Sequence, residues 1–394
     1  MRVLISGAGI AGPTLAYWLA HYGFQPTLVE SAAHLRTAGY VIDFWGAGYD
    51  IADRMGLLPE IMRKGYQVRE VRVVNAAGKR IAAFSTEAVA RVAQGRFTSI
   101  PRGDLAASIF SLIEGRVETL FGDSVRSLVQ TENAVRVTFE SGGTREFDLV
   151  IGGDGLHSRI RRLVFGEEKQ FERYLGYKAV AFEIAGYPMR DELVYLLYTQ
   201  VGQQTGRFTL RGDRTMFLFT FRDREYEISA DREEQKALLH ARFSGAGWEY
   251  PQILNALSTA SDLYFDRVSQ IQMNHAGESW NNGRVALVGD AASCVSLLAG
   301  QGSALAMVAA YILAGELHRA RGNYAQAFER YQSLFGPFVL QKQNAARRLA
   351  GFFAPKSKLS MFLRNQVINL MAIPWITDVA IGRDLVDKIE IPEY

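Results

Sequence analysis

Three strand-like apolar runs that each open into a glycine-rich turn, and a stretch of alternating β-formers between the second and the third, predict an α/β fold. The expected architecture is a parallel-sheet domain with an inserted antiparallel sheet, followed by a C-terminal helical region. At 394 residues the chain is long enough for two or three domains and a large core without disulfides. Its 44 Lys+Arg and 41 Asp+Glu leave a net charge of +3 on a 48% hydrophobic background, which excludes collagen, coiled coil and wholesale disorder. The densest basic pairs, Arg161 with Arg162 and Arg347 with Arg348, are short and isolated, so no nucleic-acid partner is expected. Cys294 is the single cysteine, and six scattered histidines offer no zinc-ligand spacing, so neither a disulfide scaffold nor a metal site is expected.

The first element starts at once. Val3, Leu4, Ile5 and Ser6 read as a buried strand, followed by Gly7, Gly9 and Gly12 in a GxGxxG turn and by a helix carrying Leu15, Trp18, Leu19 and Tyr22. In such a turn one glycine permits the bend, one lets backbone N–H groups approach a pyrophosphate, and one lets the helix pack on the strand. The helix N-terminus then faces phosphate charge. A second strand, Pro26 to Val29, ends in Glu30, placed 18 residues beyond Gly12 where a carboxylate can accept ribose hydroxyls. Together these make the domain Rossmann-like and dinucleotide-binding.

The second run, Phe147 to Ile151, leads into Gly152, Gly153, Asp154, Gly155, Ser158 and Arg161. The third, Arg284 to Val288, leads into Gly289, Asp290 and then Gly300, Gln301, Gly302 and Ser303, after which a helix carries Leu305, Met307, Val308, Ile312 and Leu313. A short acid at a strand's carboxyl end accepts hydroxyl hydrogen bonds, and adjacent glycine leaves room for an elongated cofactor. Between these clusters Glu192 to Val201, Arg207 to Arg211 and Thr215 to Arg222 read as strands of an antiparallel sheet, with Gly212 and Asp213 as a turn. Val71 to Phe84, turning at Asn75 to Gly78, adds a hairpin to it. Tyr195, Tyr198, Phe208, Met216, Phe217, Phe219 and Phe221 lie on this sheet, but strand alternation alone does not say which of them face a pocket.

Met1 leads into Val3 without a charged region, apolar run or cleavage site, so the expected location is cytoplasmic. Leu359 to Ile381 is apolar but is interrupted by Arg364, Asn365, Asn369, Pro374 and Asp378, and no integral membrane segment is expected.

With the three glycine–acid clusters in this order, the chain resembles the class A FAD-dependent monooxygenases of the para-hydroxybenzoate hydroxylase superfamily. The segments Leu35 to Asp43 and Ile100 to Leu105 look most like the group that contains tetracycline-inactivating hydroxylases. The resemblance implies FAD, with NAD(P)H as transient co-substrate, and hydroxylation of an aromatic or polyketide-like small molecule by O2 through a flavin C4a-hydroperoxide. It implies that Gly7, Gly9, Ala11 and Gly12 cradle the pyrophosphate and Glu30 holds the adenosine ribose. Asp290 would bind the ribitol or pyrophosphate, Arg102 the phosphate or ribityl region, and Gly300, Gly302 and Ser303 would run beside the flavin. Arg36 stands near the cofactor or faces solvent. Asp154 joins the cofactor site or caps the following helix. No catalytic acid or base stands out.

The resemblance also implies a domain plan: a discontinuous FAD-binding domain (1–70, 95–172 and 270–323), a substrate-binding sheet (71–94 and 173–269) and bridging helices (324–394). The protein would act as a monomer or homodimer. Where the family usually carries proline after its Gly-Asp pair, this chain has Ser293 to Ala299 without one, and Ser31 follows Glu30 where many relatives have arginine. The proline-free loop is a harmless rearrangement or it weakens oxygen activation; the second case leaves a protein that keeps FAD for a non-oxygenating step such as cyclisation, or only binds a ligand. Cys294 in this loop reads as a small, partly buried residue rather than a nucleophile. A flavin halogenase would need two tryptophans one residue apart, which are missing here, and a nicotinamide dehydrogenase would leave Gly289 and Asp290 without a purpose.

Overall fold

The structure, a computed structural model, describes residues 1–36, 39–260, 262–273, 279–371 and 389–394. Five strands lie parallel in the order Val285–Leu287, Leu149–Gly152, Arg2–Ser6, Gln25–Glu30 and Glu118–Phe121, with Asn281–Asn282 antiparallel at one edge. Both faces of this sheet are covered, so its strands are apolar runs rather than alternations: Val3, Leu4 and Ile5 are fully buried. Helix Ala11–His21 packs against helix Gly302–Arg319, where Trp18 meets Tyr311 edge-on at 4.8 Å and Tyr22 stacks on His318 at 4.5 Å. Every residue from Ala304 to Leu317 is buried, which suits a helix enclosed on all sides.

Phe147 to Ile151 departs from its reading as one strand. Phe147 closes Thr144–Phe147 in a three-stranded antiparallel sheet, and Leu149 opens a strand of the parallel sheet. Asp148 makes the change of partner: its carboxylate accepts from Arg2 N at 2.6 Å, and its own N–H donates to Arg2 O at 2.9 Å.

The second large sheet has seven strands, in the order Tyr264–Ile271, Glu172–Ala185, Arg214–Arg222, Gln203–Leu210, Val194–Gln200, Glu70–Val74 and Arg80–Ser85. All neighbours are antiparallel except Val194–Gln200 with Glu70–Val74. Register divides the aromatics. Arg207 stands opposite Phe217, and Phe208 opposite Met216, so the two pairs point to opposite faces. On one face Phe217, Phe219, Phe221 and Tyr198 pack beneath helices Arg232–Phe243 and Tyr250–Ser258, with Phe219 meeting Phe243 at 4.9 Å. The sequence reading contained neither helix.

The other face, with Phe208, Leu210, Met216 and Tyr195, turns toward the parallel-sheet half and meets Val41, Tyr66 and Val68. Val41 belongs to Val41–Trp45, which pairs with Phe97–Pro101 as a two-stranded sheet. Helix Tyr324–Phe353 spans both halves, and helix Lys358–Leu370 lies on Arg80–Ser85 and Val194–Gln200. Among the described residues no helix is long and apolar enough to cross a membrane; residues 372–381 of the interrupted apolar stretch lie outside them.

Candidate cofactor and substrate site

The glycine turn is built from close approaches that side chains would block. Gly7 sits at φ +103°, and a Cβ there would come within 2.6 Å of Gly153 O, so the first and second glycine clusters touch through backbone alone. A Cβ on Gly12 would fall 1.9 Å from Gly7 O, which fixes how tightly the helix leaves the strand. Gly9 faces open space apart from the Arg102 guanidinium, 3.6 Å from where its Cβ would stand. Ala11 starts the helix beside Gly289, with its Cβ 2.9 Å from where a Gly289 Cβ would be. Helix Ala11–His21 has neither a side-chain cap nor an acid in its first turn, so its leading N–H groups are left for an anion. Glu30 ends its strand half-exposed, accepting from Ala8 N at 2.8 Å and Ala32 N at 2.9 Å.

The third cluster closes on the first. Gly289 (φ +65°) precedes the short helix Asp290–Ser293, and the Asp290 carboxyl oxygens lie 3.8 and 4.0 Å from where a Gly302 Cβ would be. Burial raises the Asp290 carboxyl above its ordinary range, while the Arg102 guanidinium pulls it back down. Gly300 is left-handed at φ +66°, and helix Gly302–Arg319 begins after it with no side-chain cap, directing a second set of free N–H groups, including that of Ser303, at the same cleft. The donor set therefore fits a long ligand: two uncapped helix N-termini and Arg102 for negative charge, and Glu30 and Asp290 for hydroxyls.

Asp154 serves the protein itself. Its carboxylate accepts from Arg159 N at 2.8 Å, Ile160 N at 3.1 Å and the Ser158 hydroxyl, and so caps helix Arg159–Val164. Arg161, fully buried, donates to Ala291 O at 3.0 Å and Leu156 O at 2.6 Å and pairs with Glu168, tying the second cluster to the third. Arg36 is exposed and has no partner among the described residues; Thr37 and Ala38, which follow it in the segment carrying the resemblance, lie outside them. Cys294 is 7% exposed, and burial pushes its thiol well above the ordinary range, which makes it an inert packing residue. In the same loop Ser296 takes φ +101°, a strained value for a residue with a side chain, and its hydroxyl accepts from Leu298 N.

Beside the Arg102–Asp290 pair stand two tyrosines that sequence reasoning missed. Tyr40 and Tyr264 have ring centroids 5.6 Å apart, one from each half of the molecule. Burial holds the Tyr40 phenol up at about 12 and that of Tyr264 well above its ordinary value, so both stay protonated. Farther along this wall Asp43 accepts from Ser99 and Tyr195. The lone acid in the apolar strand Val41–Trp45 was the signal that could have found it.

A parallel sheet whose glycine turn, acid-ended neighbouring strand and paired uncapped helix N-termini come together is the arrangement of a dinucleotide-dependent α/β protein. The chain belongs to the FAD binding domain family, whose model matches residues 1–327. It is 39% identical over 344 residues to a flavin-dependent monooxygenase from an unknown prokaryotic organism, covering 87% of each chain. It is 34% identical over 400 residues to a flavin-dependent monooxygenase of Legionella longbeachae serogroup 1 (strain NSW150), covering 100% of this chain and 98% of that one. The crystal structure of tetracycline destructase Tet(51) superposes with a TM-score of 0.84 at 35% identity, covering 100% and 99%. The protein is an FAD-dependent monooxygenase, an oxidoreductase that acts on a small molecule with O2.

Proposed function

We propose that the enzyme hydroxylates an aromatic or polyketide-like compound held between the cofactor cleft and the inner face of the seven-stranded sheet. The observation that carries this is that Tyr40 and Tyr264 stand by Arg102, with Asp290 also acting on Tyr40, while Tyr40 packs at the same time against the Phe208 and Met216 cluster of the sheet's inner face. FAD, reduced by NAD(P)H, supplies the oxygen-activating chemistry. The chain's own residues bind and orient. Gly7, Gly9, Ala11 and Gly12 admit the pyrophosphate to the helix N-terminus, Glu30 takes the adenosine ribose, and Arg36 adds a cation at that end. Arg102 and Asp290 grip the middle of the cofactor, Gly300, Gly302 and Ser303 offer backbone N–H groups at its far end, and Asp154 acts indirectly by fixing the second glycine cluster. The protonated tyrosines and buried aromatics keep water from the reacting ring.

The division into an FAD-binding domain (1–70, 95–172, 270–323), a substrate-binding sheet (71–94, 173–269) and bridging helices (324–394) follows the same reading. So does a cytoplasmic monomer or homodimer. Residues 372–388 of the last segment lie outside the described residues.

The test is a flavin absorption spectrum of the purified protein, followed by NADPH oxidation in air over phenols, fused-ring polyketides and tetracycline. Substrate-dependent oxidation with an oxygenated product is expected. A bound flavin with no response across the panel would refute the substrate reading while leaving the cofactor reading intact.

A further inference from the structure

The wall opposite the inner sheet carries one acid that the cofactor grip does not use. Asp43 lies on Val41–Trp45, on the same strand face as Val41, and Ser99 stands directly opposite it on Phe97–Pro101. Ser99 Oγ donates to Asp43 Oδ1 at 2.6 Å, and Tyr195 OH, reaching from the seven-stranded sheet, donates to the same oxygen at 3.2 Å. Oδ2 accepts nothing among the described residues, yet the side chain is only partly buried and this oxygen is not sealed from solvent. The titratable group facing Asp43 is Tyr195; no cation among the described residues acts on it, and burial holds its carboxyl above the ordinary range. A carboxylate that is partly desolvated without a charge partner is costly, and an amide would satisfy Ser99 and Tyr195 equally well. What only the acid offers is the outward oxygen.

We infer that Asp43 Oδ2 accepts the proton of a phenolic or enolic hydroxyl on the substrate, which both selects hydroxyl-bearing compounds and activates them. This rests on the aromatic or polyketide reading above. In the step the substrate O–H bond breaks, its proton passes to Oδ2, and the electron pair stays on the substrate oxygen. Nothing is oxidised or reduced; the negative charge moves from the carboxylate to the substrate, where it enriches the ring toward an electrophilic oxygen. Ser99 and Tyr195 are positioning residues, holding Oδ1 and leaving Oδ2 free to accept.

The FAD-loaded protein is titrated with 2-naphthol and with 2-methoxynaphthalene, following flavin fluorescence. A hydrogen bond to a charged group predicts that the naphthol binds at least about tenfold more tightly than its ether. In Asp43→Asn the preference should shrink to about twofold or less with the flavin spectrum unchanged, while Ser99→Ala should lower it partway. A preference that survives in Asp43→Asn, or equal binding of both compounds by the parent protein, overturns the inference and leaves the aromatic reading standing. Failure of both compounds to bind overturns the aromatic reading and the inference with it.

Discussion

On the proposed reading the two halves of the molecule hold their ligands by different means. In the parallel-sheet half the grip is mostly backbone: glycines 7, 9 and 12 clear a path, and two helices leave their first N–H groups uncapped. In the seven-stranded half it is side chain on side chain, with one sheet face closed by two helices and the other offering Tyr195, Phe208, Met216 and Tyr264. Backbone recognition tolerates almost no change at a few fixed positions, whereas a side-chain wall can be re-lined without disturbing its frame. On this proposed reading the parallel-sheet half sets the chemistry and the seven-stranded sheet sets the substrate.

Substitutions in each half should break this contrast or sharpen it. The largest effect is expected from Gly12→Ala, since the new Cβ would press on Gly7 O, a backbone atom that cannot swing away. Flavin absorbance of the purified variant should be lost, with a destabilisation of about 3 kcal/mol in denaturant titration. Phe219→Ala, on the helix-packed face, should cost about 3 kcal/mol as well but leave the flavin bound in the folded fraction. Asp290→Ala inverts that outcome: FAD occupancy falls several-fold by absorbance ratio, while the apoprotein's thermal midpoint hardly moves.

The smallest effect concerns the seam between the halves, where His157 hydrogen-bonds Glu168 at 3.0 Å and, across to the sheet, Asp266 at 3.0 Å. Those carboxylates, Asp266 first, raise the imidazolium to about 10 from 6.5. A raised cation stabilises fully below its unfolded value and progressively less as pH climbs through the folded one. Stability should thus fall between pH 6.5 and about 10, and His157→Gln should flatten that slope in denaturant titrations across the range.

The same contrast explains what the sequence revealed. A glycine turn needs glycines at set spacing after a strand, so the turn at Gly7, Gly9 and Gly12 and the placement of Glu30 and Asp290 at or just beyond strand ends were legible as one-dimensional pattern. The Gly212–Asp213 turn, with both residues at positive φ, was legible for the same reason. Tyr40 and Tyr264 meet from positions more than two hundred residues apart, and nothing local in either segment announces the encounter. The break at Asp148 was hidden because an apolar run reads alike whichever sheet its halves join. The face of each aromatic on the seven-stranded sheet depended on register, which is a property of pairing and not of one strand.

The interleaving of the two halves bears on how the protein is made. Arg2–Ser6 leaves the ribosome long before Val285–Leu287, which its sheet also needs, and before Asp290 and the start of helix Gly302–Arg319. The whole seven-stranded sheet is synthesised in between, so the nascent chain must hold apolar strands apart until late, a topology that favours slow assembly and chaperone dependence. A flavin supply at that moment would favour the finished state by mass action, so that flavin shortage during expression should lower the yield of folded chain.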